Sequence, residues 1–98
     1  MNNIVFAGSL KIDRVWVDGD YGYALVTYIN DTTSTFEKAV TIKCIALDPK
    51  GNKININARS FFAHEYGPIK PGFEGTLKVP VELHGASMKS MSCSCKEW

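Results

Sequence analysis

Two cysteines sit near the end of the chain in Met-Ser-Cys-Ser-Cys, Met91 to Cys95, and a third, Cys44, stands alone in the middle. Thiols at such spacing could hold a metal or exchange a disulfide. In an extended strand Cys93 and Cys95 share one face about 7 Å apart, whereas a relaxed disulfide needs Cβ atoms within about 4.5 Å. A zinc site needs further donors, and only Cys44, His64 or His84 could be enlisted. Three is an odd number, so pairing within one chain is incomplete. The expectation is reduced thiols in a reducing compartment, with no metal and no cofactor. Cys95 meeting Cys44, if the tail adds a strand over the core, is the alternative.

His64, Glu65 and Tyr66 form the best acid–base grouping. Acyl transfer would also need an activated nucleophile, and no G-x-S-x-G elbow accompanies them. Ser60 and Ser87 have no motif around them, so the chain is not expected to be an enzyme. Asp18, Asp20 and Asp31 could meet at one end of a fold and bind calcium through oxygen, but the further spaced ligands of an EF-hand loop are missing. The richer signal is aromatic: two Trp, four Tyr and five Phe. Trp16, Tyr28 and Phe36 have the spacing of core residues. Tyr21, Phe61, Phe62, Tyr66 and Phe73 fall in or near turns, and with His64 they are the candidate binding residues. Tyrosine anchors of this kind dominate many interfaces; the competing reading is that Tyr66 and Phe73 fold back and plug one end of the domain.

The elements that would carry these residues follow a period of two. Leu10 to Val17 alternates with neither face clean, and Asp18 to Gly22 reads as a hairpin connection. Tyr23 to Asn30 is rich in β-branched and aromatic residues, as an interior strand requires. After the polar loop 31–35, Phe36, Val40, Ile42, Cys44 and Ala46 share a buried face. Asp48-Pro49-Lys50-Gly51-Asn52 is a turn, because proline presets φ and glycine accepts a positive one. Lys53 to Arg59 alternates, with Ile54, Ile56 and Ala58 expected inward and Asn55, Asn57 and Arg59 in solvent. Adjacent Phe61 and Phe62 demand a bulge, a turn or an exposed ring. Residues 65–75 read as a long irregular connection. Leu77, Val79, Val81 and Leu83 then point inward, and Pro80 places this strand at an edge or beside a bulge. Residues 85–98 read as a tail or a terminal strand.

Half-wet strands need a second sheet to cover them. The 98 residues therefore predict one domain, an antiparallel immunoglobulin-like β-sandwich of about five to seven strands, with a small β-barrel as the alternative. Lys and Arg outnumber Asp and Glu by eleven to ten, and the signs alternate along the chain. No basic stripe forms, so nucleic acid is not expected. No apolar run approaches the roughly 18 residues of a membrane span. The N-terminus lacks the basic start of a secretory signal; the expected location is cytoplasmic as the chain stands, or envelope or secreted if a leader was removed. Asn30-Asp31-Thr32 matches a glycosylation sequon, which has meaning only after export.

Residues 26–82 resemble the FxLYD-type domains, immunoglobulin-like modules of bacterial and archaeal proteins. The resemblance lies in the strand from Val26 ending at Asn30, a polar loop, an alternating strand closing on Asp48 with Gly51 completing a D-x-x-G turn, then Pro71-Gly72 before a final alternating strand. It implies a sandwich and an accessory or interaction role. The chain is therefore expected to bind a protein partner, or itself, through loop aromatics or an open sheet edge. A structural module of an envelope or phage assembly, and a calcium-dependent or carbohydrate-binding domain, are the alternatives.

Overall fold

The computed structural model describes residues 7–97; residues 1–6, on which the expectation about a leader bears, and Trp98 lie outside them. Among the described residues, six strands and one helical turn follow in order: β1 Ser9–Asp18, β2 Tyr21–Ile29, β3 Ala39–Leu47, β4 Lys53–Phe62, α1 Ala63–Tyr66, β5 Glu74–Glu82 and β6 Ser90–Glu97. They form two antiparallel three-stranded sheets, β1-β2-β5 and β4-β3-β6, packed as an open sandwich and not closed into a barrel. The tail is a strand, β6, pairing with β3 from Ser90 to Glu97.

Alternation decides the inner faces. In β2 the buried set is Gly22, Ala24, Val26 and Tyr28, and in β3 it is Val40, Ile42, Cys44 and Ala46. Val79, Val81 and Leu83 close the core from the β5 side, with Leu77 partly buried against it. Pro80 lies on the outer face of β5, an edge strand as proline requires. The β3–β4 turn is built by Asp48, whose Oδ1 accepts from Lys50 N (2.9 Å) and Asn52 N (2.8 Å), while Gly51 takes φ +82°.

Two expectations change. In β1 the register shifts between Ile12 and Arg14, a one-residue bulge at Asp13. The bulge moves Val15 and Val17 onto the inner face with Leu10 and Ile12, and turns Arg14 and Trp16 outward opposite Leu25 and Tyr23. Trp16 is thus no core residue, and the untidy alternation of the sequence becomes two clean faces. In β4 the faces are reversed: Asn55, Asn57 and Arg59 lie opposite buried Ala46, Cys44 and Ile42, while Ile56 and Ala58 face outward opposite Ile45 and Lys43. Only Ile54, beside the shift at Ala46/Leu47, packs on the core as expected. Of the bulge, turn or exposed ring expected at Phe61 and Phe62, the structure has a turn and no bulge: β4 runs through both, burying Phe61 while Phe62 faces the other way, and α1 follows at once.

The reversed face of β4 has a physical reason. At this edge the inner face meets the exposed carbonyls of β5, so polar side chains are useful there. Asn55 Nδ2 donates to Glu82 O (3.0 Å), Asn57 Nδ2 to Pro80 O (2.7 Å) and Arg59 to Lys78 O (3.1 Å). The same two asparagines accept from the next amide of β4, Ile56 N and Ala58 N, at 2.8 Å each. Two side-chain amides thereby stand in for the peptide groups of a missing strand, satisfying both edges at once.

Candidate functional site

The loop aromatics converge at one end of the sandwich. Phe61 packs edge-on against Phe73 (5.4 Å between centroids) and Tyr66 (5.6 Å), and tilted against Tyr28 (5.7 Å). Gly75 makes room: a Cβ there would lie 2.6 Å from Phe61 Cε1. Phe61 is fully buried and Phe73 packs against the core, so these two rings plug the end and leave only Tyr66, 53% exposed, at the rim. Phe62 stacks on His64 (5.2 Å, 26°) on the outer side. Tyr21 is elsewhere, at the start of β2 beside the β1–β2 turn. Of the six residues proposed from sequence, Phe61, Tyr66 and Phe73 are brought together, Phe62 and His64 form a second pair, and Tyr21 joins neither.

The polar candidates separate as well. Asp18 and Asp20 flank the β1–β2 turn, whereas Asp31 follows the far end of β2 and accepts from Ser9 Oγ. A nine-residue strand spans roughly 30 Å, so the three carboxylates do not gather. Among the described residues no group of three or more His, Cys, Asp or Glu is placed to hold a metal, and no helix is long and apolar enough to cross a membrane. The Ser60 hydroxyl is engaged with Thr41 at 2.8 Å. Asn30 of the sequon is buried, with its amide donating to Ser34 O (2.9 Å) and Ile69 O (3.0 Å), which leaves the folded chain no free amide to glycosylate.

The cysteines depart from expectation. Cys44 and Cys93 stand directly opposite on β3 and β6 and are joined by a disulfide. The tail does add a strand over the core, but it brings Cys93, not Cys95, to Cys44. Cys95 is free, half-buried, and donates to Gly8 O at 3.4 Å. Burial first, then the nearby Asp31 carboxylate, push its thiol above the ordinary 9.0, so it stays protonated and a poor nucleophile. Burial also raises the Tyr28 hydroxyl, which donates to Ala7 O.

The most organised exposed chemistry lies on the outer face of β1-β2-β5. Trp16 stacks on Tyr23 (5.3 Å, 19°), and Tyr21 leans toward Tyr23 at 6.2 Å. The Arg14 guanidinium sits 4.6 Å over the Trp16 ring, and Lys78 Nζ 5.3 Å over Tyr23. Arg14 and Trp16 come from β1, Tyr23 from β2 and Lys78 from β5, so one row of cation, ring, ring and cation crosses the whole sheet. Pro80 lies opposite Tyr23 and Leu25 opposite Lys78, filling the floor around it. Sequence reasoning missed this row because the Asp13 bulge decides where Arg14 and Trp16 point. One signal was available: Gly22 and Ala24 are small residues inside a strand, the mark of close backbone approach on their face. A Cβ on Gly22 would lie 2.5 Å from Met88 Sδ, so the large Tyr21 and Tyr23 must take the other face.

No family model, curated protein or solved structure matches the chain.

Proposed function

We propose that this chain is a non-catalytic domain that binds a protein partner through the outer face of β1-β2-β5. The observation that carries the reading is the row Arg14, Trp16, Tyr23 and Lys78. Trp, Tyr and Arg supply most interface hot spots. Here the rings already hold one another, so ordering them on binding costs little side-chain entropy. Each ring also has a face against its neighbour and a cation above it, which favours contact through ring edges, hydroxyls and charges over stacking of a flat sugar. The partner that fits is an apolar protein ridge carrying carboxylates that answer Arg14 and Lys78. The Cys44–Cys93 disulfide fits an oxidising compartment, in place of the reducing one expected from cysteine parity.

The test compares immobilised wild-type domain with Trp16→Ala/Tyr23→Ala and Tyr66→Ala in extracts of the native cells and on a glycan panel. A protein held by wild type and by Tyr66→Ala, and weakened about thirtyfold or more by the double variant, is the expected result. Equal retention by all three forms sinks the proposal, and a glycan lost with the double variant moves the site to carbohydrate.

A further inference from the structure

The two sides of the sandwich are finished differently. Between β4 and β5 the Asn55, Asn57 and Arg59 ladder covers both edges. On the opposite side β1 and β6 are also edge strands, and no comparable ladder joins them among the described residues. The inner face of β1 is accordingly left uncovered, with Ile12 39%, Val15 37% and Val17 52% exposed. These are side chains directed at a core that does not reach them.

We propose that the edge of β1 left unpaired among the described residues pairs, antiparallel, with β1 of a second copy about a two-fold axis at Val15. With Asp13 and Arg14 sharing one position at the bulge, the strand is self-complementary in that register. Val15 meets Val15 of the second copy and Ile12 meets Val17, all on the inner face, so the uncovered apolar side chains pack on one another. On the outer face Lys11 meets Asp18, and Arg14 meets Trp16. Every pair matches in face and in chemistry over the stretch from Lys11 to Asp18. The bulge, a device that discourages pairing on a lone edge, recurs symmetrically in both strands and leaves the register whole. Centring the axis on Arg14 would oppose two guanidiniums, and centring it on Trp16 would leave Lys11 unpaired. The edge of β6 has no such match, because Lys96 and Glu97 lie together at one end and an antiparallel copy brings Ser90 to them.

The product is one six-stranded sheet in which the cation–ring rows of the two copies meet end to end across the axis. It goes beyond partner binding, which a monomer could perform, and its test uses other residues. An edge pair belongs to the small end of specific interfaces, below about 1,200 Å² in total, so the dimer forms reversibly at concentrations of roughly 10–100 μM. Sedimentation velocity on the whole chain is the measurement. Lys11→Asp and Asp18→Lys, each alone, oppose like charges twice per dimer and weaken association about tenfold. The double variant Lys11→Asp/Asp18→Lys restores opposite charges and regains wild-type association. In a Cys95→Ser background, Val15→Cys forms an intermolecular disulfide on mild oxidation, because directly opposed residues bring Cβ atoms within reach. A wild-type chain that stays monomeric to about 1 mM, a double variant no better than the singles, or a Val15→Cys chain that does not cross-link overturns the proposal.

Discussion

Asn30 concentrates four side-chain hydrogen bonds in one buried amide. Its Nδ2 donates to Ser34 O and Ile69 O, and its Oδ1 accepts from Thr32 N (3.1 Å) and Thr32 Oγ1 (2.6 Å). Its backbone adds Asn30 N to Phe73 O (2.8 Å) and Gly72 N to Asn30 O (2.7 Å). One residue therefore ties the loop after β2 to the connection before β5, the connection that seats Phe73 against Phe61. Replacing Asn30 by Ala removes four hydrogen bonds from a buried position and leaves Ile69 O only its bond from Phe36 N (3.0 Å), and the expected cost is about 1–3 kcal/mol. Urea unfolding of Asn30→Ala measures it; a loss below about 0.5 kcal/mol would mean water replaces the amide freely. The asparagine itself stood out in the sequence as a strand end. That its side chain is buried did not, because its partners Ser34 and Ile69 lie in separate loops.

At the scale of elements, β4 is the instructive strand. Its pattern, with isoleucine and asparagine alternating from Ile54 to Asn57, was legible as a strand with two unlike faces, and the face assignment inverted because β4 is an edge. Over the middle of a sheet the inner face meets apolar side chains, but at this rim it meets the peptide edge of β5. The double variant Asn55→Ala/Asn57→Ala removes donors to Glu82 O and Pro80 O and acceptors for two amides. It should lower stability by about 1–2 kcal/mol, since these are partly hydrated hydrogen bonds. It should also leave two bare edges that associate. Urea denaturation gives the first effect and static light scattering against concentration the second. Wild-type values in both would mean that water caps these edges equally well.

For the molecule as a whole, the Cys44–Cys93 bond closes a sequence separation of 49 between β3 and the last strand. Without it, β6 is held to the sheet by its ladder with β3 and by Met91, Cys93 and Cys95 against the core. Oxidised chain should exceed reduced chain in unfolding free energy by about 2–4 kcal/mol, the range for a loop of this length. Urea titrations with and without reductant test it, with alkylation and intact mass reporting the thiol count. Superimposable curves would show that the strand carries its own weight.

The alternation of apolar and polar residues, the Asp48–Gly51 turn and Pro80 were enough to determine an all-β sandwich, the inner faces of β3 and β5, and a place for β5 at an edge or a bulge. Each is a local property, readable from a residue and its near neighbours. Tertiary structure alone decided that Trp16 faces outward beside Tyr23, that Asn55 and Asn57 reach a second strand, and that Cys44 meets Cys93. A bulge in β1, the meeting of β4 with the edge of β5 and the register of β6 on β3 set those outcomes. All three depend on how distant segments pair, and a side chain's neighbours across a sheet leave no trace in its neighbours along the chain.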